Sequence, residues 1–259
     1  MNKIVTSAIF LFAFFASKAQ SEYGVQVYKN QGEALNYRIL YPENFSSDKS
    51  YPIILFLHGS GERGDDNTKQ LVHGSRMFID SSFRKAYPCV VIFPQCPKED
   101  YWSNADVDRN PGGFGLIFKN LGEPTQAMAL LVSMMDSIAD LKYSRDNQIY
   151  VGGLSMGGMG TYEILARRPN MFAAAFPICG GGNTEAASLY AKKVDLWVFH
   201  GAKDDVVLPS NSVDMVIALR KAGGNAKFTL YKDANHNSWD STFAEPGLMS
   251  WLFSNVKNQ

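Results

Sequence analysis

The pentapeptide Gly153-Leu-Ser-Met-Gly157 restricts the possible folds of this chain more than any other stretch. It follows the apolar run Gln148 to Val151, which predicts a buried strand, and it precedes a helical pattern that ends at Pro169. A strand, a sharp turn and a helix form the setting in which G-x-S-x-G exposes a serine hydroxyl. Glycines on both sides let the helix pass close to the strand. The pattern predicts Ser155 as a nucleophile, and the alternative is a glycine-rich turn with an incidental serine.

A nucleophilic serine needs a histidine base, which in this arrangement comes later in the chain. The chain has four histidines, and two of them, His58 and His73, precede the serine. His200 ends an apolar run and begins a turn, which favours a structural role. His236 lies in the loop after the last predicted strand, and we predict it as the base. Its alternative is a solvated loop residue.

The carboxylate that would orient the base is one of two adjacent residues, Asp204 and Asp205. Successive residues at a strand end point in different directions, so only one of them can face His236. The pattern alone leaves this choice open. A metal site made by the two carboxylates is a further alternative, but no cysteine or histidine at ligand spacing supports it.

A second glycine-rich loop, His58-Gly-Ser-Gly-Glu-Arg-Gly64, follows the apolar run Ile53 to Leu57, which predicts a buried parallel strand. Acyl transfer needs two backbone N–H donors for the oxyanion. One comes from the residue after the nucleophile, Met156, and we predict Ser60 of this loop as the other. His58 is expected to brace the loop by hydrogen bonding. A phosphate loop would end in Gly-Lys-Ser/Thr, which is absent here.

Five motifs together resemble an α/β-hydrolase group that includes peptidases of the prolyl oligopeptidase type and esterases like the feruloyl esterases and polyhydroxybutyrate depolymerases. The resemblance spans about Tyr37 to Trp251. It implies a catalytic triad of Ser155, Asp204 and His236, with the acid four residues after the histidine of a His-Gly-x-x-Asp turn. The motifs are 58–64, Pro94-Gln-Cys-Pro97 with Trp102, 153–158, 200–204 and His236-Asn-Ser-Trp239. The group acts on different substrates, so the resemblance does not fix this one.

Alternating strands and helices predict an α/β class with a mostly parallel, doubly wound sheet. An antiparallel hairpin, Gly24 to Tyr28 with Leu35 to Tyr41, is expected at one edge of the sheet. Helices are predicted over Pro124 to Leu141, Ser210 to Ala222 and Pro246 to Phe253. Parallel strands are predicted near Ile53, Val90, Ile149, Ala174, Leu196 and Phe228.

Access to Ser155 depends on two connecting segments. Residues 179–194 are too few for a large cap domain, so an open cleft is expected, suited to an ester carried on a polymer such as a carbohydrate. The long segment Gln95 to Glu123 is expected to form one wall of this cleft. Trp102 would stack on an aromatic or sugar ring there, or else anchor the loop by packing. Gln95 would bind substrate as a hydrogen-bond donor, or else brace the loop.

The N-terminus predicts export. Lys3, an apolar stretch from Ile4 to Ala16 and a Ser-Lys-Ala site form a signal peptide over residues 1–19, too short in its apolar part to span a bilayer. Residues 20–259 then form one catalytic domain that is secreted or periplasmic and has no membrane anchor. The formal net charge of zero argues against nucleic acid as a partner. The oligomeric state stays open.

The cysteine count is odd, at three, so at least one thiol is free or pairs outside the chain. Cys89 and Cys96 bracket a predicted strand and are therefore expected not to pair with each other. Together these features predict a serine carboxylic ester hydrolase that needs no cofactor and takes short or aromatic acyl groups. The alternatives are a small-peptide serine peptidase with the same triad and a non-catalytic carbohydrate-binding module.

Overall fold

Eight strands form one sheet in the computed structural model, which describes residues 21–110 and 113–257. Their order in space is β1-β2-β4-β3-β7-β8-β9-β10. Two further strands, β5 and β6, form a separate pair in the described part of the chain. The strands are β1 (Gly24–Asn30), β2 (Glu33–Leu40), β3 (Tyr51–Leu57), β4 (Val90–Pro94), β5 (Ala105–Asn110), β6 (Gly113–Phe118), β7 (Ser144–Leu154), β8 (Ala174–Ile178), β9 (Asp195–Gly201) and β10 (Ala226–Tyr231).

The predicted hairpin and the predicted parallel strands are confirmed. Strands β1 and β2 pair antiparallel at one edge of the sheet, and β2 also runs antiparallel to β4. The strands from β4 to β10 in the sheet order are all parallel. Their carboxyl ends therefore lie along one edge of the sheet, which is where ligands bind in sheets of this kind.

Burial on both faces explains the uninterrupted apolar runs of the central strands. All seven residues of β3 are buried. Ile53, Leu55 and Leu57 belong to one apolar core, whereas Ile54 and Phe56 belong to the other. This alternation follows from the twofold repeat of side chains along a strand.

Helices cover both faces of the sheet and supply the other half of each core. They are α1 (Ser75–Ile79), α2 (Ser81–Ala86), α3 (Gln126–Ala139), α4 (Met156–Arg167), α5 (Pro209–Lys221), α6 (Trp239–Phe243) and α7 (Leu248–Ser254). Buried side chains of α3, α4 and α5 belong to one core, and side chains of α1, α2, α6 and α7 pack in the other. The architecture is therefore the doubly wound α/β sandwich that the sequence predicted.

The three predicted helices exist, with narrower limits in two cases. The hydroxyl of Thr125 accepts a hydrogen bond from the Met128 amide at 3.2 Å, so α3 begins after Pro124 rather than at it. Helix α5 begins with Pro209 at its first position and ends shortly before Gly223, whose φ of 82° is left-handed. Helix α7 begins two residues later than the sequence predicted.

The long segment after β4 contains the antiparallel pair β5 and β6, which the sequence did not predict. Hydrogen bonds join its base to the rest of the chain. The Lys119 amide donates to the Asn104 carbonyl at 3.0 Å, and the Asn183 side-chain amide donates to the Lys119 carbonyl at 3.1 Å. The hairpin therefore stands beside the loop that follows β8.

The connection between β8 and β9 contains a single 3-10 turn, Glu185–Leu189, within the described residues. No large cap domain interrupts it, as the sequence predicted. The three cysteines are buried and free, so Cys89 and Cys96 do not pair. No helix within residues 21–110 and 113–257 is long and apolar enough to cross a bilayer. The predicted signal peptide, residues 1–19, lies outside the described residues.

Candidate active site

Ser155 occupies the turn between β7 and α4 in a strained conformation. Its φ of 53° and ψ of −118° lie outside the regions that L-residues ordinarily adopt. Two backbone hydrogen bonds hold the turn: the Ser155 amide donates to Ile178 at 2.9 Å, and the Met159 amide donates to Ser155 at 3.0 Å. A strained turn between a strand and a helix is the conformation that the G-x-S-x-G motif predicts for the serine.

The glycines beside Ser155 are required by close backbone contacts. A methyl group on Gly157 would collide with the carbonyl oxygen of Leu57, which ends β3. A methyl group on Gly158 would lie 2.6 Å from the carbonyl oxygen of Ile178, which ends β8. Helix α4 therefore rests directly on the ends of two strands, and only glycine fits at these positions.

The three residues predicted as a triad form one hydrogen-bonded chain. Nε2 of His236 lies 3.0 Å from Oγ of Ser155, and Nδ1 lies 2.8 Å from Oδ2 of Asp204. An ionised carboxylate can only accept, so Nδ1 carries the hydrogen and Nε2 accepts from the serine hydroxyl. The base is therefore in the tautomer that can take the proton of Ser155.

Asp204 is buried and held by four donors. Its Oδ1 accepts from the amides of Val206 at 2.9 Å and Val207 at 3.0 Å, and its Oδ2 faces His236 and His200. Burial raises the pKa of Asp204, but hydrogen bonds from His200, His236 and the Val206 amide outweigh it and hold the pKa well below its usual range. Asp204 is thus an anion at neutral pH.

His200 is fully buried and has a structural role, as predicted. Its Nε2 lies 2.8 Å from the Val207 carbonyl oxygen and 3.1 Å from Oδ2 of Asp204, and Nδ1 lies 2.7 Å from Oγ of Ser212. Because both neighbours of Nε2 are acceptors, this nitrogen carries a hydrogen. Sequence reasoning missed that His200 holds the triad acid itself. Asp205 is exposed.

His58 braces the loop that follows β3. Its Nε2 accepts from the Cys96 amide at 2.9 Å, so Nδ1 carries the hydrogen and donates to the Gly59 carbonyl at 2.6 Å. Burial lowers the pKa of His58 to about 4, against a smaller opposing effect of the hydrogen bond to Gly59. The brace is therefore a neutral imidazole at physiological pH, and the predicted role is confirmed.

The braced loop lies against the nucleophile. A Cβ added to Gly59 would lie 2.9 Å from a methyl of Leu154 and 3.7 Å from Cβ of Ser155. Among the described residues, neither the Ser60 amide nor the Met156 amide has an internal hydrogen-bond acceptor. These two donors are thus free for an oxyanion, and their assignment remains the prediction that the sequence made.

Arg63 fixes the same loop from outside, which sequence reasoning missed. Its Nε donates to the Ser60 carbonyl at 3.1 Å and its Nη1 donates to the Asp100 carbonyl at 3.1 Å. The guanidinium also lies 5.8 Å from the ring centre of Tyr101. The only indication of this role in the sequence was that the loop motif ends in Glu-Arg-Gly. Arg63 couples the Ser60 carbonyl to the segment that follows β4.

Comparison with known proteins agrees with this geometry. Residues 181–247, which contain Asp204 and His236, match the Prolyl oligopeptidase family. A solved structure of a thermostable esterase superposes with a TM-score of 0.80 at 31% identity, covering 92% of this chain and 64% of that one. The chain therefore has the α/β-hydrolase fold. A structure of a ferulic acid esterase superposes on it with a TM-score of 0.63 at 15% identity, covering 89% of this chain and 95% of the other.

One relative in sequence carries two activities in its name. This chain is 26% identical over 182 residues to a bifunctional acetylxylan esterase/xylanase of Neocallimastix patriciarum, a match that covers 69% of this chain and 23% of that protein. The chain therefore spans less than a quarter of this relative and under two thirds of the thermostable esterase.

Gln95 braces the loop that follows β3, which was one of its two predicted roles. The side chain is buried, its Oε1 accepts from the Asn67 amide at 2.6 Å, and its Nε2 donates to the Glu62 carbonyl at 3.1 Å. Nε2 also lies 3.2 Å from Oδ1 of Asp66. Since both ends of the amide are occupied, the prediction that Gln95 binds substrate is wrong.

Trp102 lies in the apolar core of the protein. Its side chain is 0% exposed, packs against Gly160 of α4 and meets the His58 ring edge-on at 5.4 Å. The prediction that Trp102 stacks on substrate is wrong. Gly160 has no side chain, and the indole of Trp102 packs against α4 in the space that this leaves. Its neighbour Tyr101 is only half-buried, and its hydroxyl lies 3.9 Å from the Met159 sulfur.

One set of metal-ligand side chains occurs in the part of the chain that the structure describes. Atoms of Cys179, Asp204 and His236 lie within 4.8 Å of one another. Asp204 and His236 are hydrogen-bonded to each other. Burial raises the pKa of the Cys179 thiol well above its ordinary value, which disfavours the thiolate that binds metals. The donor set therefore fits the triad better than a metal ion.

Proposed function

We propose that the protein is a serine esterase that hydrolyses carboxylic esters through an acyl-enzyme. The observation that carries this proposal is the unbroken hydrogen-bonded chain from Ser155 through His236 to Asp204. The strained turn at Ser155 and the free amides of Ser60 and Met156 support it, because acyl transfer needs an exposed nucleophile and two oxyanion donors.

The residues act in two steps. Oγ of Ser155 attacks the ester carbonyl carbon while Nε2 of His236 takes the hydroxyl proton, and the Ser60 and Met156 amides stabilise the oxyanion. The C–O bond to the alcohol breaks as His236 returns the proton to the leaving oxygen. Water then attacks the acyl-enzyme with His236 again as the base, which releases the acid and restores Ser155. Asp204 stabilises the imidazolium in both steps.

The proposed substrates are esters with short or aromatic acyl groups. The short connection between β8 and β9 supports this, because it provides no cap that would enclose a long acyl chain. The names of the acetylxylan esterase/xylanase and the ferulic acid esterase include a short and an aromatic acyl group, which agrees with this range.

A small-peptide serine peptidase is the second candidate, favoured by the match of residues 181–247 to the Prolyl oligopeptidase family. The triad would serve both reactions. An amine leaves less readily than an alkoxide, and the leaving group of an amide must be protonated by His236. We place the esterase first because the thermostable esterase is 31% identical over most of this chain.

We also propose that the protein works outside the cytoplasm. This rests on Lys3, the apolar stretch from Ile4 to Ala16 and the Ser-Lys-Ala site that follows it. The mature chain would begin at or near Gln20.

Labelling with a fluorophosphonate and a substrate panel tests the activity. We expect the probe to label wild-type protein and to leave Ser155→Ala unlabelled, because only an activated serine reacts. The panel compares short p-nitrophenyl esters with peptide anilides. Turnover of esters supports the esterase, turnover of anilides alone supports the peptidase, and an unlabelled but folded wild type contradicts both.

A further inference from the structure

A cavity of about 450 Å³ opens between the β5–β6 hairpin and the start of α5. We call it the side cavity. Leu116 and Phe118 of β6 form its apolar wall. Its polar lining consists of Asn120, Asn183, Thr184, Glu185, Asn211 and Asp214.

The side cavity adjoins the catalytic edge of the sheet. Cys179, which follows β8 beside the triad, is followed by three glycines, and Gly182 lines the cavity. Three peptide units span at most about 11 Å, so the cavity begins within that distance of Cys179. A Cβ on Gly181 would lie 2.8 Å from both the Phe118 ring and Cβ of Asn211. The glycine thus lets the two walls meet beside the site.

Some polar groups of the side cavity are occupied in building its wall. Oδ1 of Asn183 accepts from the Glu185 amide at 2.8 Å, and its Nδ2 donates to the Lys119 carbonyl at 3.1 Å. The Asn120 amide lies 3.4 Å from Oε2 of Glu185. These contacts hold the hairpin against the loop that follows β8.

Other polar groups of the side cavity have no partner among the described residues. Asp214 makes no hydrogen bond or ion pair there, and neither does the Thr184 hydroxyl. Asn211 uses its Nδ2 on the Leu208 carbonyl at 3.0 Å, which leaves its Oδ1 free. The cavity therefore offers acceptors, with a hydroxyl that both donates and accepts, to a molecule that brings several donors.

The charge of the lining limits the ligand class. Among the described residues, neither lysine nor arginine lines the cavity, whereas Glu185 and Asp214 do, so these two carboxylates would repel a phosphate or carboxylate ligand. A neutral sugar fits: its hydroxyls donate to Asp214 and Asn211, and the C–H face of its ring packs on Phe118. Carboxylate and amide acceptors beside an apolar wall match the two kinds of surface that a sugar ring has.

We propose that the side cavity binds a neutral sugar unit of the alcohol part of the substrate. The proposal rests on the esterase function and adds the class of the alcohol. A carbohydrate ester would place its carbonyl at Ser155 and a neighbouring sugar unit in the side cavity. Recognition of the alcohol there would lower the KM for sugar esters and leave simple aryl esters without this benefit.

The double variant Asn211→Ala/Asp214→Ala tests this proposal in two measurements. The first compares kcat/KM for acetylated xylotetraose with kcat/KM for p-nitrophenyl acetate. We expect kcat/KM for the sugar ester, divided by that for p-nitrophenyl acetate, to fall at least tenfold in the variant, because KM for the sugar ester rises. The second measures binding of unmodified xylotetraose by isothermal titration calorimetry, which we expect to be lost. Asn225→Ala is the matched control, because Asn225 precedes β10 at the amino ends of the parallel strands, whereas the side cavity lies near their carboxyl ends.

Three outcomes separate the two proposals. Binding of xylotetraose to wild type that the double variant loses supports the side cavity, even if no ester is hydrolysed and the esterase function fails. Wild type that hydrolyses p-nitrophenyl acetate but does not bind xylotetraose overturns the side cavity alone. Loss of xylotetraose binding in Asn225→Ala as well would also overturn it, because the sugar would then not depend on this cavity. The two carboxylates would in those cases serve a cationic ligand or only solvation.

Discussion

Nε2 of His200 lies 3.1 Å from Oδ2 of Asp204, the same oxygen that accepts from Nδ1 of His236 at 2.8 Å. The carboxylate of Asp204 therefore lies between two imidazoles, of which His200 is buried and His236 is partly exposed. With the Val206 and Val207 amides on its other oxygen, every acceptor position of Asp204 is used. These contacts fix the orientation of the carboxylate that accepts from His236.

We predict that His200→Asn lowers kcat for p-nitrophenyl acetate about tenfold and leaves KM nearly unchanged. The shorter side chain removes a charge-assisted hydrogen bond from Asp204, and such bonds contribute about 1.5–3 kcal/mol. Steady-state kinetics separates the two constants. Ser212→Ala is the control, since it removes the partner of Nδ1 and keeps the contact with Asp204. A variant with wild-type kcat would mean that His200 does not position the acid.

The adjacent aspartates provide a matched pair. Asp204→Asn should lower kcat by roughly four orders of magnitude, because an amide holds the wrong tautomer of His236. Asp205→Asn should stay within threefold of wild type, because its side chain is exposed and makes no hydrogen bond in the described part of the chain. Measuring kcat for p-nitrophenyl acetate in both variants shows which aspartate is the acid. The reverse order of effects would identify Asp205 as the acid.

The sequence was enough to predict the sheet and to predict which serine, histidine and aspartate form the hydrogen-bonded chain of the proposed triad. Strands of a parallel sheet are buried on both faces, so β3 and β4 appear in the sequence as short, uninterrupted runs of apolar residues. The turn at Ser155 needs glycines at fixed positions, which makes it visible as a motif. The choice of Asp204 over Asp205 came from the family resemblance. Two adjacent aspartates at a turn give no indication in the sequence of which side chain points toward His236.

The direction of individual side chains near the site could not be predicted from the sequence. Trp102 and Tyr101 are adjacent aromatic residues in one long segment, and only the hole at Gly160 decides that the indole turns inward. Gln95 was open to two roles for the same reason. Its role depends on the Asn67 amide, which is 28 residues away in the chain. Such contacts between distant segments leave no periodic signal.

The buried position of Trp102 predicts an effect on stability. Trp102→Ala should lower the free energy of unfolding by about 3–5 kcal/mol, because it leaves a cavity against α4 and His58. Trp102→Phe should cost much less, since it keeps most of the ring and removes an indole N–H that has no acceptor among the described residues. Urea denaturation measures both. A large rise in KM for aryl esters in Trp102→Ala, with unchanged stability, would show that Trp102 contacts the substrate and is not part of the core.

His58 predicts how stability depends on pH. Its pKa is about 4 in the folded protein, below the ordinary value of 6.5, because of burial. The unfolded chain therefore binds a proton between these values and the folded protein does not. The stability that His58 provides is complete above pH 6.5 and is lost as the pH falls to about 4, by about 3 kcal/mol in all.

Urea denaturation at pH 7, 5.5 and 4.5 tests this effect. Wild type should lose stability across this series more steeply than His58→Gln, whose side chain does not titrate. His73→Gln is the control, because His73 is half-exposed and lies outside the brace. Equal slopes for wild type and His58→Gln would show that the folded protein accepts a charged His58.

The open edge of the sheet predicts the acyl preference. Long acyl chains gain affinity only where apolar walls enclose them, at about 0.8 kcal/mol for each buried methylene. The connection between β8 and β9 holds one 3-10 turn in the described chain and supplies no such enclosure. We therefore expect kcat/KM for p-nitrophenyl esters to be highest from acetyl to butyryl or for aromatic acyl groups. Peptide anilides should be far poorer, since His236 must protonate an amine. Highest activity on acyl chains of about ten carbons or more, whose added methylenes would each need burial, or on peptide anilides would contradict the open-cleft esterase.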